Sequence, residues 1–130
     1  MHDAARPCLR GDDLDHLFAA LSDHPVGGLL GVPVRDTMKQ AAEDGGVRRT
    51  IPRDALWHAF TPQMFRLGLL RRALRTALDQ GQLVTDDAGA VELLGLEPRL
   101  VEGHADNIKI TRPEDLPLAD FHLRRQGRLG

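Results

Sequence analysis

The chain has 130 residues, a formal net charge of −2 at pH 7, six histidines and one cysteine. This length predicts one domain, and the small net charge argues against nonspecific binding to nucleic acid or to an anionic membrane. No apolar run reaches the ~20 residues that a membrane span needs. The lone Cys8 cannot form an internal disulfide, which fits a cytoplasmic protein. No histidine pair has the spacing of a structural zinc site.

The first part of the chain predicts a helix and then a buried strand. We predict the helix over about residues 11–23, with acidic residues in its first turn and Pro25 after its end. Its apolar residues recur at helical spacing and are Leu14, Leu17, Phe18 and Leu21. The apolar, glycine-containing run over residues 26–34 predicts the strand.

A hairpin is predicted next. Residues 35–40 and 47–53 flank a turn-rich stretch of Gly, Asp and Glu. Because this hairpin is polar on both faces, we expect it to reach out to a partner rather than lie on its own core. Residues 56–65 are mixed in character and predict no regular element.

Two helices are predicted in the second half of the chain. The first covers residues 66–81 and ends at Gly81. Its predicted buried face consists of Leu67, Leu70, Leu74 and Leu78. The second covers residues 85–95, with Thr85 as its N-cap and acidic residues at the positive end of the helix dipole.

The last part of the chain predicts two short strands and a final helix. The strands cover residues 98–103 and 107–111. The helix begins with a capping box formed by Thr111 and Glu114, and its predicted buried side consists of Leu116, Leu118, Phe121 and Leu123. The order of elements predicts an α/β fold with helices on the faces of a sheet.

Polar residues collect near the predicted strand ends, where open α/β sheets bind ligands. They are Asp3 and Arg6, Thr37, Arg53, Thr61, Thr85, and Asp106 with Lys109. Cationic and hydroxyl groups suit a phosphorylated substrate, so the residues alone fit a phosphosugar-binding module. Each residue also has a structural interpretation, such as a helix cap for Thr85 or a turn cation for Arg53. We find no catalytic triad and no glycine-rich phosphate loop.

Five stretches occur in the order in which one enzyme family carries them. They are HDAARP (2–7), PVRDTMK (33–39), LWHAFTPQMF (56–65), VTDDAGAVE (84–92) and LVEGHADNIKITRPEDL (100–116). Together they resemble the 2-C-methyl-D-erythritol 4-phosphate cytidylyltransferases over nearly the whole chain. TPQ-x-F, TDDA and NIKIT-x-P-E-D-L are very specific in combination.

The resemblance implies a Rossmann-like, GT-A-like nucleotidyltransferase fold, a three-layer α/β sandwich with a β-arm at about residues 33–55. Residues 1–130 would be the C-terminal part of a single, here incomplete, domain. The implied activity joins CTP to 2-C-methyl-D-erythritol 4-phosphate, with Mg²⁺, and releases pyrophosphate in the non-mevalonate route to isoprenoids. The implied assembly is a cytoplasmic homodimer formed through the β-arm, with no nucleic-acid or membrane partner.

The resemblance also assigns roles to residues around the nucleotide. Asp3 matches an acid that faces the metal, the nucleotide and the substrate, and Ala4 matches a backbone contact to the nucleotide. Lys109 matches a lysine that contacts the nucleotide and, with Arg53, positions the substrate phosphate as a catalytic cation.

Further matches concern the methylerythritol phosphate. Thr37 and Arg53 match arm residues that reach into the neighbouring subunit's site. Thr61 and Thr85 fall in segments that line the substrate. No general base is expected, because the attacking phosphate is already deprotonated near neutral pH.

The chain departs from the family at its start. In the family a glycine-rich loop with an arginine and a lysine precedes HDAARP and holds the triphosphate. Family members usually carry valine at the position of Met1, and GTG encodes either residue depending on context. We therefore expect a start site placed too late or a truncated gene, and an inactive chain by itself. The alternative is a non-catalytic remnant that dimerises or binds a full-length homologue.

Overall fold

The computed structural model describes all residues 1–130, which form helices on a small mixed sheet and a separate hairpin. In chain order the elements are α1 (Gly11–Leu21), β1 (Gly27–Pro33), β2 (Met38–Ala41), β3 (Val47–Ile51), β4 (Trp57–Phe65), α2 (Leu67–Asp79), α3 (Asp87–Glu92), β5 (Arg99–Glu102) and α4 (Asp115–Arg125). The predicted α/β class is confirmed. No helix is long and apolar enough to cross a bilayer.

The main sheet has three strands in the order β4–β1–β5. The central strand β1 pairs antiparallel with β4 and parallel with β5, so that Gly28 lies opposite both Met64 and Arg99. A Cβ atom at Gly28 would collide with the backbone of Arg99. Glycine at this position therefore permits the close approach of β1 and β5.

Opposite faces of β1 are covered by different helices, because successive strand residues point to opposite sides. Leu30 and Val101 pack with Leu17 and Leu21 of α1. On the other face, Leu29 and α3 line a common small cavity. The helices thus form outer layers on a sheet whose central strand is almost wholly buried.

The predicted polar hairpin is present as a two-stranded sheet of β2 and β3 that does not join the main sheet. Lys39 lies opposite Thr50 and donates a hydrogen bond from its Nζ to the Thr50 hydroxyl at 2.7 Å. Gly45 turns the chain with a φ of +87°. Nearly all residues of this β-arm are exposed, so little of its surface is covered by its own domain.

The strand β4 was not predicted from the sequence. Its burial does not alternate: buried residues run consecutively from Thr61 to Gln63, and its pairing with β1 is irregular between Leu29 and Gly31. Pro62 also argues against a central strand, but β4 lies at the edge of the sheet, where proline is tolerated. Residues 57–65 therefore form a strand because they pair with β1, and not because their local sequence pattern favours one.

The predicted buried face of α2 is wrong except at Leu70, which is partly buried and packs against the cluster between α2 and α3. Ala73 and Ala77 are the buried residues of this helix, and Ala73 packs against Ala90 and Val91 of α3. By contrast Leu67, Leu74 and Leu78 are 82%, 36% and 79% exposed. Small residues allow α2 and α3 to approach closely, and the three exposed leucines, here called the leucine row, face outward.

Two predicted caps are also wrong. Asp86, and not Thr85, is the N-cap of α3, where its carboxylate accepts from the backbone N–H of Gly89 at 2.8 Å. The last helix begins at Asp115, whose carboxylate accepts from the backbone N–H of Thr111 at 2.9 Å. The Asp86 carboxylate therefore satisfies a free N–H group in the first turn of α3. The Asp115 carboxylate instead binds the N–H groups of Thr111 and Arg112 in the turn that precedes α4.

Two further corrections concern the end of the chain. Residues 107–111 form no strand. Most of the predicted buried side of α4 is exposed, since Leu116, Leu118 and Phe121 all lie at the surface and Ala119 is the buried residue.

Truncating Leu30 in the core is expected to destabilise the chain strongly. Leu30 is fully buried between β1 and α1, so Leu30→Ala should lower the free energy of unfolding by about 2–5 kcal/mol. The control Leu78→Ala removes an exposed side chain and should stay within about 0.5 kcal/mol. Urea denaturation followed by circular dichroism measures both. Equal losses in the two variants would contradict this description of the core.

Candidate functional site

Three residues singled out from the sequence meet in one cluster, Asp3 with Thr61 and Lys109. The backbone N–H of Asp3 donates to the Thr61 hydroxyl at 2.9 Å, and Lys109 Nζ lies 3.4 Å from Asp3 Oδ2. Thr61 is buried within β4, whereas the side chains of Asp3 and Lys109 are partly exposed. One carboxylate and one ammonium therefore stay open to solvent beside a fixed hydroxyl.

Arg6 forms the closed side of this cluster. Its Nε lies 3.4 Å from Asp3 Oδ2, its Nη1 donates to the carbonyl of Asn107 at 2.7 Å, and its guanidinium stands 4.8 Å from the centre of the Phe60 ring. Burial lowers the pKa of the Arg6 guanidinium, and the neighbouring Asp3 opposes that shift. Arg6 thereby fixes Asp3 to the loop that carries Lys109.

That loop is held on both sides of Lys109, by β4 before it and by the N-terminal segment after it. Asn107 is 1% exposed, and its side-chain amide donates to the carbonyl of Thr61 at 2.8 Å. The backbone N–H of Ile110 donates to the carbonyl of Ala5 at 2.8 Å. These bonds take the place of the strand that the sequence predicted here.

The start of the same loop is fixed by α1 and α4. Buried Asp13 accepts from the backbone N–H of His104 at 3.0 Å and lies 2.7 Å from its Nδ1. Asp106 Oδ2 accepts from Arg10 at 2.8 Å and from Gln126 at 3.0 Å. Burial raises the pKa of the Asp106 carboxyl, but the hydrogen bonds from Arg10 and Gln126 outweigh burial and bring that pKa below its ordinary value.

The other residues singled out from the sequence lie outside this bonded cluster. Ala4 is exposed next to Asp3, Thr37 is exposed at the start of the β-arm, and Thr85 is exposed before α3. Arg53 donates from its Nη1 to the carbonyl of Arg35 at the base of the arm. No hydrogen bond or ion pair links these side chains to the cluster within one chain, so their binding roles stay predictions.

Two buried amides that the sequence analysis left without a role help to build the site. One is Asn107. The other is Gln63, whose Oε1 accepts from the backbone N–H of Ala88 at 2.8 Å and whose Nε2 donates to Asp86 at 2.9 Å. Gln63 thus ties the start of α3 to β4. Both amides sit inside motif stretches, TPQ and NIK, which is the one signal that marks them in the sequence.

The cluster offers a single carboxylate to a metal ion. No group of three or more His, Cys, Asp or Glu side chains is placed to hold an ion anywhere in residues 1–130. Mg²⁺ is usually held by one or two carboxylates together with substrate phosphates and water. Asp3 therefore fits a magnesium ion that a phosphate ligand shares, rather than a site built from protein groups alone.

The largest cleft of the molecule lies elsewhere. It has a volume of about 1040 Å³ and runs between α1 and α4, with Arg10, His104 and Phe121 in its lining. None of the cluster residues Asp3, Thr61 and Lys109 lines it. The candidate site is therefore identified by its chemistry and not by the size of a cavity.

Comparison with known proteins shows the family to which the chain belongs. A sequence model of the family "2-C-methyl-D-erythritol 4-phosphate cytidylyltransferase" matches residues 1–125. The chain belongs to this family. The resemblance found in the five sequence stretches is thereby confirmed.

Curated relatives give the same name. The chain is 55% identical over 126 residues to the 2-C-methyl-D-erythritol 4-phosphate cytidylyltransferase of Vibrio parahaemolyticus, covering 97% of this chain and 54% of the relative. It is 61% identical over 116 residues to that of Ectopseudomonas mendocina, covering 89% of this chain and 49% of the relative. The chain thus spans about half the length of these relatives.

Solved structures of the family confirm the fold. The structure of the Francisella tularensis 2-C-methyl-D-erythritol 4-phosphate cytidylyltransferase matches with a TM-score of 0.87 at 39% identity, over 94% of this chain and 57% of that one. The Thermus thermophilus structure matches with a TM-score of 0.84 at 36% identity, over 95% and 60%. The predicted nucleotidyltransferase fold is therefore correct.

The Asp106 contacts predict a loss of stability in acid. Because the pKa of Asp106 is lower in the folded than in the unfolded chain, its contribution is present above about pH 4 and is lost as the pH falls through that range. Asp106→Asn should therefore flatten the fall in the free energy of unfolding between about pH 5 and pH 3. Denaturant titrations at several pH values measure this slope.

A matched control replaces Asp15, an exposed carboxylate of α1, by asparagine. Asp15→Asn leaves the Arg10 and Gln126 contacts of Asp106 in place and should keep the slope of the parent chain. If Asp106→Asn keeps the parent slope as well, the Arg10 and Gln126 contacts do not stabilise the ionised carboxylate.

Proposed function

We propose that this chain provides the substrate side of a cytidylyltransferase that transfers CMP from CTP to 2-C-methyl-D-erythritol 4-phosphate and releases pyrophosphate. The observation that carries the proposal is the cluster of Asp3, Thr61 and Lys109 in a chain that belongs to this family. The named substrates are those of the relatives, which this chain matches over about half of their length.

The charges of the cluster suit the reaction. A phosphate oxygen of the methylerythritol phosphate attacks the α-phosphorus of CTP, a new P–O bond forms, and pyrophosphate leaves with the electron pair of the broken P–O bond. Two anions must approach each other, so positive charge held in place lowers the barrier. Lys109 is a compact point charge suited to this task, and the Asp3 carboxylate holds the Lys109 ammonium at 3.4 Å.

Asp3 is the residue that would hold Mg²⁺ together with the phosphates of CTP. The ion, when bound, supplies Lewis-acid stabilisation of the charge that develops on the phosphates. Lys109 and Arg6 both lie 3.4 Å from Asp3 Oδ2, so these two cations hold the carboxylate in position. The Asp3 side chain stays 35% exposed, so a ligand can still reach its carboxylate.

The β-arm supplies the remaining cation in this proposal. Arg53 can hold a phosphate through two parallel hydrogen bonds, yet within one chain it is exposed and contacts only the carbonyl of Arg35. A two-fold dimer formed through the arm would bring Arg53 of one subunit to Lys109 of the other. Thr37, exposed at the start of the same arm, would contact the substrate from the same side. A cytoplasmic setting fits the single unpaired Cys8.

The chain by itself is expected to make no CDP-methylerythritol at a rate near that of a whole enzyme. The triphosphate-binding loop that the family carries before HDAARP is not part of these 130 residues, and losing one such donor costs about 10²–10³ in rate. Joining the chain to the segment that precedes HDAARP in the Vibrio parahaemolyticus relative should restore pyrophosphate release from CTP and methylerythritol phosphate. This fusion is called the joined chain below.

The joined chain decides between the two interpretations of the sequence. Turnover that depends on Lys109 supports the enzyme. A joined chain that folds and dimerises but never turns over supports the non-catalytic alternative, and full activity of the 130 residues alone contradicts the prediction.

Mixed dimers test whether Arg53 of the β-arm acts in the site of the partner subunit. In the joined chain, Arg53→Ala and Lys109→Ala should each weaken the methylerythritol phosphate step about tenfold or more, as expected for charge-assisted contacts, with a smaller effect on CTP. Mixing the two variants should restore one intact site per mixed dimer, because the intact Arg53 and Lys109 then meet at one interface. Steady-state kinetics after confirmed subunit exchange measures the recovery.

The matched control is Arg49→Ala, which removes another exposed arginine of the arm that binds Gln40 within the hairpin. This variant should keep its activity. A mixture that stays as inactive as its parents shows that Arg53 serves its own subunit.

A further inference from the structure

We propose that Gln126, at the C-terminal end of α4, is a positioning residue that helps to hold Lys109 at its distance from Asp3. The proposal rests on the proposed function, in which these two charges act together. The side chain of Gln126 donates to neither charge. It acts through the two segments that carry them, residues 2–10, here called the Asp3 segment, and residues 103–110, here called the Lys109 loop.

The Asp3 segment and the Lys109 loop have little regular structure to hold them together. Neither contains a helix or a strand, so no backbone ladder fixes their separation. Next to the charges, the backbone N–H of Ile110 donates to the carbonyl of Ala5 at 2.8 Å. Lys109 is the neighbour of Ile110, and its Nζ lies 3.4 Å from Asp3 Oδ2. A shift of one segment against the other would therefore change the separation of the two charges.

A buried carboxylate joins the far ends of the same two segments. Nε and Nη2 of Arg10, in the Asp3 segment, each lie 2.8 Å from Oδ2 of Asp106, in the Lys109 loop. The Asp106 side chain is 9% exposed. Because a nearly enclosed carboxylate depends on hydrogen-bond donors to remain ionised, the donors around Asp106 hold the loop to the segment.

Gln126 supplies one of these donors and reaches the Asp3 segment as well. Its Nε2 donates to Asp106 Oδ2 at 3.0 Å and to the carbonyl of Cys8 at 2.9 Å. Both distances are in the ordinary range for hydrogen bonds. One amide nitrogen of α4 therefore bonds to both segments at once.

The end of α4 holds Gln126 in place for this contact. Its backbone N–H donates to the carbonyl of His122 at 3.0 Å, and Arg128 donates to its side-chain oxygen at 3.3 Å. Gly127, with a φ of +70°, turns the chain between Gln126 and Arg128. The family model matches residues 1–125, so the role of Gln126 is inferred from the contacts of this chain and not from the family.

The first test removes the donor and nearly keeps the shape of the side chain. Gln126→Glu in the joined chain places an acceptor beside Asp106 and the Cys8 carbonyl, so both hydrogen bonds are lost. It should lower kcat for CDP-methylerythritol formation about fivefold or more, because a small misplacement of a reacting group is costly. Gln126→Ala, which adds no charge, should act in the same direction. Steady-state kinetics measures both, and the KM for CTP should change little.

A double-mutant cycle separates positioning from a general structural role. If Gln126 acts through Lys109, Gln126→Ala should add little further loss once Lys109→Ala has removed the ammonium. A general loss of structure would multiply the two effects instead. Circular dichroism of the parent, the two single variants and the double variant checks that all four are folded.

The matched control is Arg124→Ala, which removes the contact between Arg124 and Asp120 within α4 and leaves the Gln126 side chain in place. It should keep the kcat of the joined chain. Amide exchange gives a readout that does not depend on activity. In both the 130-residue chain and the joined chain, the Ile110 N–H should exchange several-fold faster in Gln126→Ala than in the parent or in Arg124→Ala.

Three kinetic results would overturn the proposal. They are an unchanged kcat in both Gln126 variants, multiplied losses in the cycle, and a loss in Arg124→Ala as large as that in Gln126→Ala. If the joined chain does not turn over at all, the proposed function fails, and the exchange of Ile110 decides the positioning role separately. Faster exchange in Gln126→Ala alone then supports that role, and unchanged exchange contradicts it.

Discussion

Thr61 is the point on which the candidate site depends. Its hydroxyl accepts from the backbone of Asp3, and its carbonyl accepts from the side chain of Asn107. Two segments about a hundred residues apart in the sequence thereby meet at one buried residue of β4. Because β4 is itself fixed by its pairing with β1, the distance between Asp3 and Lys109 is set by the sheet and not by flexible loops.

The cations of the cluster differ in burial, since Arg6 is enclosed and Lys109 is partly exposed. Arg6 is enclosed by Phe60, Asp3 and the carbonyl of Asn107, so its charge serves the structure of the cluster. Lys109 keeps about half of its side chain in solvent. Its charge is therefore accessible from solvent without any break in the contacts that enclose Arg6.

The leucine row of α2 and the β-arm are exposed for the same physical reason: neither finds a packing partner within this chain. A helix or hairpin that finds no partner within its own chain still carries the side chains that a partner would bury. In α2 the alanines Ala73 and Ala77 face the chain's own core while Leu74 and Leu78 face outward. In the β-arm both faces are nearly fully exposed, and polar pairs such as Lys39 with Thr50 lie beside apolar pairs such as Met38 with Ile51. The chain therefore leaves two different surfaces uncovered, the apolar face of α2 and the mixed faces of the β-arm.

Local sequence chemistry by itself determined α1, β1, the hairpin and the stop of α2 at Gly81, because each depends on helical spacing, an apolar run or a residue that adopts positive φ. The motif stretches also determined the family and pointed to Asp3, Thr61 and Lys109. Tertiary structure alone decided that β4 is a strand, that the alanines and not the leucines of α2 are buried, and that residues 107–111 are held by Asn107 rather than by a ladder. Each of these outcomes depends on a partner distant in the sequence, and periodicity within one segment carries no information about that partner.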